Sequence, residues 1–145
     1  KLLKSLATAV LKEKGLVELV APKVGGVTAS DGSFIEAHHM IDGGPSVLFD
    51  AVALLPSDVG VEDLLREATA RDFVADAFQH CKFIGYSADA RPLLERASVA
   101  ADMDEGVLEL SGNTSVISFV EELGKLRVWG REPSVKLGSA SPQIA

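Results

Sequence analysis

The sequence predicts an α/β domain: a doubly wound, mostly parallel sheet with helices on both faces and a small β-hairpin insertion. Three observations lead there. Short apolar runs alternate along the chain with amphipathic stretches of helical period. The run Phe49–Leu55 (FDAVALL) becomes continuously apolar in its second half, as a parallel strand buried on both faces requires. The length of 145 residues is that of one domain, and 47% hydrophobic residues supply its core.

The elements follow in order. Leu2, Leu3, Leu6, Ala9 and Val10 sit at helical spacing within residues 1–14, and Gly15 is placed as a C-terminal cap. Leu16–Ala21 (LVELVA) is a short strand closed by Pro22. Asp31-Gly32 marks a hairpin between the extended pieces VTA and FIEA. A loop, His39–Pro45, leads into the strand Phe49–Leu55, which Pro56 and Ser57 end. Residues 61–81 are helical but change phase. Val61, Leu64, Leu65 and Ala68 form one face, and Phe73, Val74, Ala77, Phe78 and Cys81 form another. Thr69 with Asp72 three residues later resembles an N-cap arrangement, so a fresh helix is expected from about 70 to 80. Phe83–Tyr86 is a strand and Asp89–Ala97 a helix. Asp104-Glu105-Gly106 turns into the strand Val107–Leu110. Asn113 or Thr114 caps a last helix that runs through Leu123 and stops at Gly124. Residues 1–130 are read as the domain, and 131–145, rich in Pro, Ser, Gly and Lys, as an irregular tail. One piece is missing. A doubly wound sheet opens with a central strand before its first helix, whereas this chain starts inside that helix.

Composition narrows the function. A net charge of −7 and a pI near 4.9 argue against nucleic-acid binding, which needs clustered Lys and Arg. No apolar run approaches the ~20 residues of a membrane span. The start lacks the pattern of a signal peptide, and the lone Cys81 fits a reducing compartment, so a cytoplasmic location is expected.

The stretch that raises a chemical question is FIGYSADARPLL, Phe83–Leu94. A strand runs into a helix through a bend carrying Ser87 and Asp89, where a hydrolase places its nucleophile at a helix N-terminus. The bend has the first Gly of G-x-S-x-G, Gly85, but Asp89 stands where the second should be. Asp89 is read as a helix N-cap rather than a catalytic acid. Cys81, on an apolar helix face at the helix end, is read as a buried inert thiol. His38 and His39 point to opposite faces of an extended chain and do not chelate one ion, and His80 stands alone at a helix end, so no metal site is expected. Asp42-Gly43-Gly44-Pro45 precedes a strand instead of joining strand to helix, which is the wrong order for a phosphate cradle. Asp58, Glu62 and Asp63 form a solvated face matched to a helix start. Trp129 suits either an interface or the packing of the C-terminal segment onto the body.

The runs Ala21–Leu55, Phe73–Tyr86 and Lys125–Leu137 resemble the C-terminal domain of large-subunit haem catalases. That resemblance implies a flavodoxin-like fold related to class I glutamine amidotransferases and PfpI-type proteases and deglycases. Active PfpI-type relatives carry a pattern like A-I-C-H-G-P-x-L-L at this bend. With its leucines matched to Leu93-Leu94, the nucleophilic Cys falls on Ala88 and the following His on Asp89. The acidic residue that supports the thiol follows the first strand, which this chain lacks. The resemblance therefore implies a degenerate elbow at Ser87, Ala88 and Asp89, with no catalytic, cofactor-binding or metal residue in this chain. It also implies a non-catalytic accessory domain, structural or for assembly, with haem confined to the parent core. The partners it implies are that core and the neighbouring subunits of a homotetramer. Two alternatives stand beside it: a PfpI-type hydrolase or deglycase using Ser87, and a chaperone-like binding module with an apolar cleft at the strand ends.

Overall fold

Residues 1–135 are described by the computed structural model. The chain runs α1 (Leu2–Lys12), β1 (Val20–Ala21), β2 (Gly26–Thr28), β3 (Phe34–Glu36), β4 (His39–Met40), β5 (Val52–Leu54), α2 (Asp58–Leu65), α3 (Ala68–Gln79), β6 (Ile84–Tyr86), α4 (Arg91–Arg96), β7 (Val107–Glu109) and α5 (Asn113–Leu123). Among the described residues the strands form three separate pieces. β5, β6 and β7 make a parallel sheet in that order, β1 pairs in parallel with β4, and β2 and β3 are the expected antiparallel hairpin. In the hairpin turn Gly32 takes φ +84°, and Asp31 accepts hydrogen bonds from the Ser33 amide (2.9 Å) and hydroxyl (2.5 Å).

The parallel sheet divides two apolar clusters. Alternation along β5 sends Val52 and Leu54 to one, with Val61, Phe73, Val74, Ala77, Leu93 and Leu94 from α2, α3 and α4. Ala51, Ala53 and Leu55 pack toward the other, with Leu6 of α1, Val116, Phe119 and Val120 of α5, and Val128. Helices thus cover both faces, as the doubly wound reading expects.

Three helix ends share a device that the sequence conceals. After α1, α3 and α4 the chain turns through Lys14 (φ 62°), Cys81 (φ 60°) and Ser98 (φ 60°). In each case that residue's amide and the next one reach back to two helix carbonyls. Cys81 N–H donates to Phe78 O and Lys82 N–H to Ala77 O; Lys14 and Gly15 donate to Leu11 O and Val10 O; Ser98 and Val99 donate to Glu95 O and Leu94 O. Glycine is the usual occupant of that left-handed position, so Gly15, expected as the cap, stands one residue past it. A Cβ on Gly15 would lie 2.6 Å from Val10 Cγ1, so close packing explains this glycine instead.

Other caps differ from expectation too. The phase break falls where anticipated, between α2 and α3, but Thr69 does not cap α3. Glu67 precedes it with no side-chain cap, and the Thr69 hydroxyl donates to Asp42 Oδ1 at 2.8 Å, tying α3 to the Asp42-Gly43 turn. Gly112, not Asn113 or Thr114, precedes α5. Ser115 Oγ reaches back to accept from the amides of Ser111 (2.9 Å) and Gly112 (3.1 Å). Ser57 caps α2 by accepting from Gly60 N–H at 2.9 Å.

Among the described residues two cations are buried. Lys82 is 3% exposed and donates through Nζ to Ser46 O at 2.5 Å. Burial and the nearby Arg127 lower the affinity of its amine for a proton, while Asp50 opposes them. The unfolded chain therefore binds more protons in the alkaline range, and stability attributable to this site rises as pH approaches the ordinary lysine value near 10.5. Lys82→Met is expected to abolish that alkaline rise and to leave neutral-pH stability unchanged or higher. Urea titrations between pH 7 and 10.5 check it, and a steeper rise in the variant would contradict the burial argument.

The second buried cation, Arg131, was expected to open an irregular tail. It is 3% exposed and ends a 3-10 turn, Trp129–Arg131. The remainder of the expected tail, 136–145, lies outside the described residues.

Candidate functional site

The bend after β6 stands at the C-terminal edge of the parallel sheet, where doubly wound folds place ligands. Ser87 N–H donates to Leu54 O at 2.9 Å, which holds the bend against the end of β5. The chain then makes a 3-10 turn over Ala88–Ala90 and enters α4, with Pro92 in its first turn. Gly85 has no room for a side chain: a Cβ there would lie 2.8 Å from Leu110 Cδ1 and 3.2 Å from two ring atoms of Phe119. The glycine of the apparent elbow motif thus answers to packing between β6, β7 and α5.

The three elbow positions separate. Ser87 is 9% exposed, and its Oγ has no hydrogen-bond partner among the described residues. Ala88 and Asp89 are exposed. Asp89 is not the N-cap expected of it: it lies inside the 3-10 turn, whose preceding residue is Ser87, and no side-chain cap bond forms. The local reason is that α4 starts only at Arg91, beyond the reach of an Asp89 cap.

Among the described residues no base hydrogen-bonds the Ser87 hydroxyl. Two of the chain's three histidines sit by β1, where His39 Nε2 is 2.7 Å from Glu18 Oε2 and His38 Nδ1 accepts from Leu19 N–H at 2.9 Å. His80 is exposed past the end of α3. Cys81 is buried just past the C-terminal end of that helix. A serine hydroxyl without a neighbouring base is a weak nucleophile. Among the described residues no group of three or more His, Cys, Asp or Glu could hold a metal ion, and no helix is long and apolar enough to cross a membrane.

Sequence reasoning missed the junction built around Arg131. Its guanidinium bonds Asp104 through Nε (2.6 Å to Oδ2) and Nη2 (2.8 Å to Oδ1), and Nη1 donates to the carbonyls of Phe78 (3.0 Å) and Lys82 (2.9 Å). The group also lies 4.1 Å from the Phe78 ring centroid. Asp104 accepts in addition from Gly106 N–H at 2.9 Å. Burial alone would raise the Asp104 carboxyl, but the Arg131 and Gly106 hydrogen bonds hold it below the ordinary aspartate value. The C-terminal segment is thereby fixed to the end of α3 and the turn before β7. A sequence signal existed only in hindsight, as an Asp-x-Gly turn and an Arg within 27 residues of each other.

Beside this junction lies a recess of about 230 Å³ lined by Phe83, Glu105, Glu122, Lys125, Arg127, Val128 and Trp129. Trp129 is 63% exposed, so Val128 and Arg131, not Trp129, pack the C-terminal segment onto the body. A second recess, about 180 Å³, separates the N-termini of α1 and α5 and is lined by Lys1, Leu2, Ser5, Ser111, Gly112 and Asn113. Neither contains a histidine, cysteine or tyrosine, so neither supplies the axial ligands by which proteins hold haem.

Against known proteins, residues 2–133 match the family described as the C-terminal domain found in long catalases. The chain is 65% identical over 136 residues to Catalase C of Rhizobium meliloti (strain 1021), which covers 94% of this chain and 19% of that protein. It is 27% identical over 132 residues to Catalase HPII of Pseudomonas aeruginosa, covering 90% of this chain and 18% of the relative. It therefore spans about a fifth of the length of these catalases. In structure it is similar to oxidized DJ-1 of Toxoplasma gondii, with a TM-score of 0.68, 15% identity, and coverage of 97% of this chain and 89% of the other. Drosophila melanogaster DJ-1beta gives a TM-score of 0.71 at 14% identity, covering 94% and 89%. The α/β architecture with its parallel sheet is thus a flavodoxin-like, PfpI-type fold. This chain belongs to the family of C-terminal domains found in long catalases.

Proposed function

We propose that the chain serves as a non-catalytic accessory domain, structural or for assembly, of a large-subunit haem catalase whose separate core disproportionates hydrogen peroxide. The observation that carries this reading is the bend itself. It presents the methyl of Ala88 and a buried Ser87 hydroxyl that has no hydrogen-bond partner among the described residues. Membership of the catalase C-terminal family supports the assignment of peroxide chemistry to the remaining four-fifths of the parent. Neither recess offers a haem axial ligand, which supports placing that chemistry in the core. In the same proposal the haem sits in the core, the partners are that core and neighbouring subunits of a homotetramer, and the protein is cytoplasmic. Nucleic acid and membrane are not partners.

The experiment compares the full-length parent with a version truncated before Lys1. Peroxide turnover per haem is expected to be retained, while the tetramer dissociates at lower denaturant or temperature. Peroxide decomposition by the isolated chain would overturn the reading.

The hydrolase alternative makes an opposite demand on Ser87. A fluorophosphonate probe is expected to leave the chain unlabelled, and Ser87→Ala to stabilise it by up to about 1 kcal/mol, because an unpaired buried hydroxyl costs desolvation. Labelling that disappears in Ser87→Ala would instead make Ser87 a nucleophile.

A further inference from the structure

We propose that the N-terminal edge of the parallel sheet is a docking face for the catalase core of the same subunit, with Trp129 and Leu126 as its apolar anchors. This rests on the accessory reading above and adds to it the surface that makes the contact.

The face is built where the strands begin. Phe83 precedes β6, Glu105 precedes β7, and both line one recess with the segment that follows α5. Val128 N–H donates to Cys81 O, and Arg127 donates through Nη1 to Asp50 O at 3.3 Å, which ties that segment to the entries of β6 and β5. Two more exposed apolar side chains, Val47 and Leu48, stand in the loop before Asp50, which Lys82 holds through Ser46 O.

The anchors are presented outward in a way the domain alone does not explain. Leu126 takes φ 68°, a conformation that favours glycine, and its N–H is bonded to Leu123 O. Leu126 is nevertheless 65% exposed, so packing within the domain does not offset that strain. Trp129 is exposed too, while the 3-10 turn that carries it is pinned by the buried Arg131. A tryptophan held rigidly beside a recess of about 230 Å³, with Phe83 and Val128 in its lining, has the form of an interface anchor. The rim carries both signs, Lys125 and Arg127 with Glu105 and Glu122, as the polar rim of a protein interface does. The face therefore fits a protein surface that offers a protruding apolar side chain for the recess and polar groups around it.

Charge and tether choose the occupant. A second copy would bring a further −7 against a chain that already carries −7, so long-range repulsion opposes it. The catalase relatives instead hold this domain as 19% and 18% of one polypeptide. On the accessory reading the core is covalently linked to the face, and such a link supplies a local concentration on the order of millimolar.

The test is hydroxyl-radical footprinting of the haem-loaded full-length parent, with each rate normalised to the free amino acid. Trp129 and Leu126 are expected to oxidise about tenfold more slowly than their exposure in the domain dictates. Oxidation at the rate of that exposure overturns the proposal. An amine-reactive cross-linker at Lys125, whose side chain is 65% exposed, then identifies the occupant in assemblies of isotopically light and heavy subunits. Links are expected to sequence outside residues 1–145 and within one isotope. Links to residues 1–145 of another copy, or between isotopes, overturn the choice of the subunit's own core. Trp129→Ala is expected to raise Leu126 oxidation about tenfold, with peroxide turnover per haem unchanged. Leu126 still protected in that variant also overturns the proposal. None of these failures touches the accessory reading, which falls only if the isolated chain decomposes peroxide.

Discussion

Arg131→Ala is expected to destabilise the domain by about 3–5 kcal/mol, the cost of breaking a buried ion pair from one side. The side chain is almost fully enclosed, and every bond it makes crosses between elements far apart in sequence. Its removal strands the Lys82 carbonyl, leaves Phe78 O with the Cys81 amide, and leaves Asp104 with only the Gly106 amide. Arg131→Lys is expected to recover little, because a point-charge ammonium cannot span a carboxylate and two carbonyls as a planar fork does. Urea denaturation of both variants and of Asp104→Asn checks this, together with the double mutant. The double should cost less than the sum of the singles, since the partners share one network. A loss below about 1 kcal/mol would rank the junction with ordinary surface pairs.

The pH dependence has a definite sign. The Asp104 carboxyl is held below its ordinary value, so in the acid range the unfolded state binds more protons than the folded one. Its contribution is present above roughly pH 4 and is lost as pH falls through the lower folded value. Asp104→Asn should flatten that part of the acid limb.

Phe119→Ala is expected to cost about 3–5 kcal/mol through the cavity it opens beneath β6. Phe119 is 2% exposed, and two of its ring atoms bound the space where a Gly85 side chain would stand. Gly85→Val alone should also destabilise, by about 1–3 kcal/mol, because its branches would press on Leu110 and Phe119. Combined, the two changes are expected to be less harmful than their sum, as the valine occupies part of the emptied space. Strict additivity in denaturant titrations would show that the glycine serves the backbone of the bend and not this packing.

The alternation of strand and helix was legible because period and burial are written locally. The continuous apolar run before Pro56 announced β5, Asp31-Gly32 announced the hairpin, and the phase shift near Ala68 announced the break between α2 and α3. That the chain opens on a helix was also legible: among the described residues no strand precedes α1. Leu16–Ala21 illustrates the limit. Its sequence reads as a full strand, but only Val20 and Ala21 find a partner, because a strand needs a neighbour and composition does not supply one.

Helix ends were less legible. Lys14, Cys81 and Ser98 occupy left-handed positions without the glycine that marks such a cap, and bonds to helix carbonyls hold them there. Asp89 and Thr69 looked like caps because their residue types favour that role, while the chain's path gave one a 3-10 turn and the other a distant aspartate.

The sequence by itself determined the fold class and the family, since each depends on residue type and local order. Only the tertiary structure decided that Arg131 belongs to the body and that Gly85 makes room for Phe119. Each of those depends on which distant groups meet, and local pattern carries no record of that.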